Sequence, residues 1–397
     1  MKILEKLFIL FLFTFPTGVL ARIELSNGVA LTLNDLVLAV LVISWIILKF
    51  NLKKIKQYFL FKPLALFCAV GLVSLLINFP QLGLIKFLIS GSYLVRFVSY
   101  TLLYFIVKDF SKDFKVKINK YMFASGLIVV LLGYFQYFFF PSLKPLFKFG
   151  WDEHLYRMTS VFLDPNFAGT FFNIFFIFSL DILRKHYKTF SKIKNSIYLL
   201  ISILSFFAVY LTYSRSALMM LFVSVVVYLF LIGKKKLIFI SILFLILMIF
   251  VSPRAFQTEG TDLLRVVSTT ERFSSLNIAL KVIQDNPILG VGFNAYRYAQ
   301  AKVGLYGIFW QVTHSGAGTD ASLLFVIATT GFLGFFVYLY MLFKTFVLAK
   351  INFKSSGIVL FVVLAGLLID SLFINSLFYV FILEWLFILI GLTEGSN

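Results

Sequence analysis

The sequence has few of the features that mark a disulfide-bonded or metal-binding protein. It contains one cysteine in 397 residues, Cys68, which lies within an apolar run. A single thiol cannot close a disulfide within the chain or build a thiolate metal site. Only three histidines are present, and no two of them have the spacing of metal ligands. We therefore predict neither a metal nor another cofactor.

Charge is also scarce, and it is mostly of one sign. Charged residues make up 13% of the chain and apolar residues 61%, whereas about a quarter of the residues in soluble domains are charged. This composition excludes an ordinary soluble domain and predicts a membrane protein. The net charge of +19 would suggest a nucleic-acid partner in a soluble protein. Here lysines between apolar runs explain it, so we predict no nucleic-acid binding.

The apolar residues form runs of about 20 residues, the length that crosses a bilayer as a helix. They predict an all-α polytopic membrane protein with about twelve transmembrane helices, one integral-membrane domain over residues 1–397. The first run resembles a signal peptide, but we expect it to remain as a span. No internal repeat is visible, which disfavours a transporter built from inverted repeats. The predicted spans lie near 4–22, 29–48, 63–80, 84–107, 121–140, 162–182, 195–213, 216–233, 237–252, 321–343, 356–374 and 377–393.

Lysine-rich loops alternate with lysine-poor loops along the chain. Because positive residues mark the cytoplasmic side, the lysine-rich loops predict a cytoplasmic-membrane protein with both termini inside. The long polar segment at 253–320, between spans nine and ten, then forms an extracytoplasmic loop and part of the active site. The lysine-rich loops are 49–62, 108–120, 184–194, 234–236 and 344–354.

The arginines are distributed differently from the lysines. Of nine arginines, only Arg184 lies in a predicted cytoplasmic loop. A planar, permanently charged guanidinium suits phosphate and carboxylate groups, so the pattern favours an anionic ligand on the outer face. The alternative is ordinary loop ion pairs with nearby acids. The other eight are Arg22, Arg96, Arg157, Arg215, Arg254, Arg265, Arg272 and Arg297.

Two arginines lie within or at the edge of predicted spans. Arg215, in TYSRSA at 212–217, follows a short turn and precedes a helix that Ser214 or Ser216 could cap. A helix amino terminus beside an arginine is an anion site, although an interfacial anchor is the alternative. Arg96 lies inside the fourth span, where a charge is costly enough to suggest function. Its alternative is a buried pair with an acid, for which Asp35, Asp370 and Glu384 all qualify.

The long loop contains a predicted amphipathic helix from Ser268 to Asn286. The helix carries an apolar stripe that we expect to face the membrane or the helix bundle. Arg272 lies in its first turn, where the helix dipole disfavours a cation, which favours a ligand role. The glycines of the following ILGVGFNAY predict a tight turn. The stripe consists of Phe273, Leu276, Leu280 and Ile283.

Two residues near the end of the loop could act as a general base. His314 lies in THSGAGTD at 313–320, and Asp320 ends that segment at the entry to the tenth span. Histidine is the usual base at neutral pH, although a lone loop histidine is often only solvated. A further segment, RMTSVFLDPNFAG at 157–169, places Arg157, Asp164 and Asn166 at the outer end of the sixth span.

These segments resemble the O-antigen ligase and polymerase superfamily of bacterial envelope glycosyltransferases. The resemblance rests on DPN at 164–166, SR at 214–215, an arginine-led helix running into P-x-x-G-x-G at 287–292, and TTGFLG at 329–334. It implies about twelve helices and a donor glycan on undecaprenyl pyrophosphate, used without metal at the outer leaflet. The acceptor would be lipid A-core for a ligase or a second lipid-linked glycan for a polymerase.

The resemblance also implies roles for single residues. Arg215 and Arg272 would hold the pyrophosphate, and Arg157, Arg265, Asn166 and Arg96 are further substrate-binding candidates. A histidine near the end of the loop would activate the acceptor hydroxyl, which points to His314. The usual family spacing, counted back from Gly331, falls instead on Asp320, so both remain candidates. A lipid-linked glycan transporter or flippase, or a non-catalytic scaffold, are the alternative functions.

Overall fold

The chain is mostly helical. A computed structural model describes residues 2–25, 29–251, 258–263, 267–302 and 318–394. One antiparallel hairpin is described, in which β1 (Arg22–Glu24) pairs with β2 (Ala30–Thr32). The α-helices are α1 (Lys2–Thr14), α2 (Leu33–Lys49), α3 (Leu52–Ile55), α4 (Phe61–Ile77), α5 (Phe79–Asp109), α6 (Lys112–Phe139), α7 (Pro165–His186), α8 (Lys192–Leu211), α9 (Arg215–Leu231), α10 (Lys235–Val251), α11 (Val267–Asp285), α12 (Tyr296–Lys302), α13 (Ser322–Ile351), α14 (Gly357–Asp370) and α15 (Val380–Glu394).

A helix lies at each predicted span position. Six helical segments are long and apolar enough to cross a membrane: Lys2–Ala21, α5, α6, α7, α8 and α13. The apolar helices α4, α9 and α14 are shorter. Many large apolar side chains on these helices are exposed, as expected for surfaces that contact lipid. The all-α membrane class is confirmed, and the crossing of the membrane by all twelve helices stays a prediction.

Short polar residues begin several helices at the breaks between apolar runs. Thr32 and Asp35 form a reciprocal capping box at the start of α2. Ser111 Oγ accepts a hydrogen bond from Phe114 N at the start of α6, and Ser191 caps α8 in the same way. These caps satisfy amide groups that a helix leaves without partners. The helix starts therefore follow from local sequence.

Aromatic side chains fill the centre of the bundle. Helices α7 and α15 are buried along most of their length. The Trp385 ring of α15 lies with its centroid 5.8 Å from Phe15, 4.9 Å from Phe171 and 5.8 Å from Phe178. Tilted and edge-on contacts of this kind are the favoured geometry for aromatic pairs. The high phenylalanine content thus builds a rigid core between the helices that carry the polar site.

The bundle has two chemically different ends. At one end, the lysine end, Lys54 Nζ lies 2.5 Å from Asp109 and Lys108 Nζ lies 3.3 Å from Glu394. Lys185 pairs there with Asp181 at 2.7 Å. The opposite end, the arginine end, carries Arg96, Arg157, Arg215 and Arg272. The lysine bias predicts that the lysine end faces the cytoplasm.

The turn after α11 interlocks with a break in α13. The break is at Gly331, whose φ of 66° is in the left-handed region. A Cβ atom on Gly331 would lie 2.1 Å from the carbonyl oxygen of Ile288, so only glycine allows this approach. The hydrogen bonds between the two segments are Val291 N to Ala328 O, 3.0 Å; Gly292 N to Thr329 O, 3.1 Å; Phe332 N to Pro287 O, 2.8 Å; and Leu333 N to Ile288 O, 3.3 Å.

Helix α4 also bonds to this contact between the turn at 287–292 and the break in α13 at 328–333, which we call the glycine lock. Ser74 Oγ donates to Leu289 O at 2.6 Å, and Asn78 Nδ2 donates to Gly290 O at 3.0 Å. Gly290 and Gly292 have positive φ values of 66° and 104°. The predicted tight turn is therefore confirmed, and its partner is the TTGFLG segment. The lock fixes the carboxyl end of α11 to the membrane helices.

The packed face of α11 differs from the predicted stripe. Ile283 is buried, together with Ala279 and Val282, in a cluster with residues of α13. Phe273 and Leu280 are exposed. Small and branched side chains beside the predicted stripe therefore make the bundle contact. Because α11 begins at Val267, Arg272 lies in its second turn rather than in the first.

The lock can be tested by adding one methyl group at two glycines of similar φ. Gly331→Ala should lower the melting temperature in detergent more than Gly83→Ala. Gly83 has a φ of 71°, and a Cβ there would meet no atom within 4 Å. Both glycines combine a positive φ with a ψ near 180°, a region essentially limited to glycine, so both variants carry backbone strain of about 1–3 kcal/mol. Only Gly331→Ala adds overpacking, which costs about a further 1–3 kcal/mol. Equal shifts would contradict the lock.

Candidate functional site

Two helix amino termini meet at the arginine end. Asp164 Oδ1 caps α7 by accepting hydrogen bonds from Asn166 N at 2.6 Å and Phe167 N at 3.3 Å. Ser214 caps α9, and its Oγ donates to Asn166 Oδ1 at 2.9 Å. This bond ties the two helix starts together. The Asp164 carboxylate offsets the partial positive charge of the α7 start. The α9 start is capped by the neutral Ser214, so it keeps its partial positive charge and favours an anion.

Gly169 allows the two helices to come this close. A Cβ atom there would lie 2.5 Å from Ala217 Cβ and 3.0 Å from Thr212 Oγ1. Real side chains do not tolerate such contacts, so a larger residue would separate α7 from α9. The glycine one turn into α7 thus sets the distance between the two capped ends.

Arg157 holds the turn that precedes α9. Its side chain is only 6% exposed, and its Nε donates to Thr212 O at 2.9 Å. Met158 N donates to Leu211 O at 2.9 Å, so the same segment caps the carboxyl end of α8. A guanidinium at a helix carboxyl terminus satisfies carbonyls that the helix leaves open. Arg157 therefore positions the turn from which Arg215 projects.

Arg215 and Arg272 come together from separate parts of the sequence. Arg215 is the first residue of α9, and Arg272 lies on α11. The positive charges of Arg215 and Arg272 lie within electrostatic range and repel each other. The negative charge of Asp262 attracts Arg215. Two cations held close together repel, and an anion between them removes the repulsion. The structure thus brings together the two arginines predicted to bind pyrophosphate.

Asp370 is a further acid at this end of the bundle, which the sequence pattern did not predict as part of the site. It ends α14, is fully buried, and accepts a hydrogen bond on Oδ2 from Thr170 Oγ1 at 2.7 Å. The charge of Arg272 acts on it, and the hydroxyl of Ser216 is a neighbour. In the sequence, Asp370 is an acid at the end of an apolar run, and the sequence predicted it only as a possible partner for Arg96.

Arg96 has a different partner. It forms an ion pair with Asp35 of α2, with Nε donating to Asp35 Oδ1 at 3.0 Å. Tyr100 Oη also donates to Asp35 Oδ1, at 2.6 Å. Glu384 instead accepts from Asn34 Nδ2 at 2.7 Å. Of the three acids considered for Arg96, Asp35 is therefore the observed one, and this network couples α2 to α5.

The remaining predicted residues lie in the long loop. Arg265 and His314 are outside the described residues. Asp320 is exposed and is separated from the first residue of α13 by Ala321. The start of α13 packs on the turn after α14, where Ser322 N donates to Ser371 O at 2.9 Å. Asp320 therefore lies at the same end of the bundle as Asp370, and its role as a base stays a prediction.

Comparison with known families identifies this region. Residues 200–339 match the family model described as O-antigen ligase. The similarity covers about a third of the chain. The match includes Arg215, Arg272 and the glycine lock, and it confirms the O-antigen ligase and polymerase superfamily predicted from the motifs. A search of curated proteins found no match.

The anion site can be tested without a reaction. Millimolar inorganic pyrophosphate should raise the melting temperature of the purified protein, because a ligand that binds the folded state stabilises it. Arg215→Gln and Arg272→Gln should each remove most of this shift. Arg184→Gln, at the lysine end, is the matched control and should keep it. Protection that is unchanged in both site variants would show that pyrophosphate binds elsewhere.

Proposed function

We propose that this chain transfers a glycan from undecaprenyl pyrophosphate to an acceptor hydroxyl at the outer leaflet of the cytoplasmic membrane. The observation that carries the proposal is the convergence of Arg215 and Arg272 beside two capped helix starts. The family match supports glycan transfer of the O-antigen ligase or polymerase kind. The lysine bias supports an outward-facing arginine end.

The proposed reaction is a substitution at the anomeric carbon of the donor sugar. The acceptor oxygen forms a bond to that carbon as the bond from carbon to pyrophosphate oxygen breaks. Negative charge builds on the leaving pyrophosphate, where the guanidinium groups of Arg215 and Arg272 and the amino terminus of α9 stabilise it. Fixed charges that need no reorganisation are effective at this step. The hydroxyl proton passes to His314 or Asp320.

Other residues would act around this centre. Arg157 would be a positioning residue, because its guanidinium holds the turn before Arg215. Asp370 would orient Arg272, whose charge acts on it. Asn166 fixes Ser214 through its amide oxygen. Arg265 would add positive charge for the donor. Arg96, paired with Asp35, would shape the outer end of α5.

Transfer by purified protein tests the proposal. The assay would supply lipid-linked glycan from native cells, candidate acceptors and a chelator, and would measure product and released undecaprenyl pyrophosphate. Arg215→Lys and Arg272→Lys should lower kcat/KM by at least about tenfold each, because lysine loses the bidentate fork. Arg184→Lys should retain wild-type transfer. Donor binding without release of pyrophosphate, with every acceptor, would favour a transporter or scaffold.

The base can be assigned in the same assay. Substitution of the residue that accepts the proton should lower kcat of the protein by at least about two orders of magnitude, the usual size of general-base catalysis. His314→Ala and Asp320→Asn are compared at saturating donor and acceptor. Loss in one variant only assigns the base to that residue. Full activity in both would show that neither residue accepts the proton.

A further inference from the structure

A second polar cluster adjoins the amino terminus of α7. At its centre the Tyr379 ring stacks on Phe167, with centroids 3.8 Å apart and planes 3° from parallel. The Tyr379 hydroxyl is buried and has no hydrogen-bond partner in the described part of the chain. A buried hydroxyl without a partner costs about 1–3 kcal/mol. A ligand group that bonds to it would remove that cost.

Charged residues of both signs lie within electrostatic range of this hydroxyl. The charges of Asp164, Arg22, Arg96 and Glu384 all act on Tyr379. Arg22 comes from β1, and burial lowers the pKa of its guanidinium. Since Asp164 Oδ1 caps α7, this carboxylate joins the cluster to the anion site. The two regions are therefore neighbours that share the first turn of α7.

An aromatic ring borders the cluster on the side of the loop at 140–164. The Arg22 guanidinium lies 5.4 Å from the centre of the Trp151 ring, in cation–π geometry. The next residue, Asp152, is exposed and lies within electrostatic range of Asp164. Indole, phenol, carboxylates and guanidinium thus meet at one place from four separate segments.

This combination fits a sugar better than a second phosphate. Two carboxylates, Asp152 and Asp164, would repel an added anion. They can instead accept hydrogen bonds from sugar hydroxyls, while Arg22 and the Tyr379 hydroxyl donate. The flat Trp151 ring offers an apolar face to the carbon–hydrogen side of a pyranose. A few polar groups converging beside aromatic surfaces are typical of small-molecule sites.

We infer that Arg22, Trp151, Asp152, Asp164 and Tyr379 form a carbohydrate subsite, which receives a sugar of the donor glycan or of the acceptor. The inference deepens the proposed function and rests on it. The subsite adjoins the pyrophosphate site at the first turn of α7. A glycan seated there would be held by its hydroxyl groups while the arginines hold its leaving group or its attacking partner.

The first test is binding. The probe is the free oligosaccharide released by mild acid from the lipid-linked glycan of native cells, measured by melting temperature and calorimetry. Wild type should bind it. Tyr379→Phe removes only the hydroxyl, and Trp151→Ala removes the ring; each should weaken binding at least about tenfold. Phe147→Ala is the control, because Phe147 is an exposed ring of the same loop. All variants should keep protection by inorganic pyrophosphate.

The second test separates the two sources of the sugar. In the transfer assay, a rise in KM for the donor alone in Tyr379→Phe and Trp151→Ala assigns the subsite to the donor glycan. A rise for the acceptor alone assigns it to the acceptor. If Tyr379→Phe and Trp151→Ala bind the oligosaccharide as wild type does and keep both KM values, the proposed subsite is wrong. If wild type binds the oligosaccharide through Tyr379 but never transfers it, the subsite stands and the transferase proposal fails.

Discussion

The close approach of the α7 and α9 amino termini is the constraint on which the site depends. Gly169 lets the helices touch, and the hydrogen bond from Ser214 to Asn166 joins their first turns. Asp164 offsets the partial positive charge of the α7 start, whereas the α9 start keeps its own because its cap is the neutral Ser214. An anion is therefore favoured at the first turn of α9, beside Arg215.

The arginines at this end have two different roles. Arg157 is held by the backbone carbonyl of Thr212 and fixes the turn before α9. Arg96 is held by Asp35 and joins α5 to α2. Arg215 and Arg272 instead lie within electrostatic range of each other, and Asp262 offsets part of their repulsion. Arg272 can take this position because the glycine lock fixes the far end of α11 to α13. Rigid support of this kind is what a site for charge stabilisation requires.

Local features of the sequence predicted the parts of this structure that local physics determines. The apolar runs predicted the helices, the two serines beside Arg215 predicted the cap of α9, and the glycines after α11 predicted a turn. Pairings over long separations were not predictable. Arg96 had three candidate acids, and Asp370 was not assigned to the site, because nothing in one sequence states which helix ends meet. The packed face of α11 was also missed, since Ala279 and Val282 pack where larger residues were expected.

The proposed site holds one pyrophosphate between Arg215 and Arg272. An experimental structure of the protein bound to undecaprenyl pyrophosphate, determined by cryo-electron microscopy in a lipid nanodisc, would show where the diphosphate binds. Diphosphate density is expected within hydrogen-bond distance of both guanidinium groups and facing the first turn of α9. Diphosphate density at the lysine end, or contacting neither arginine, would contradict this placement.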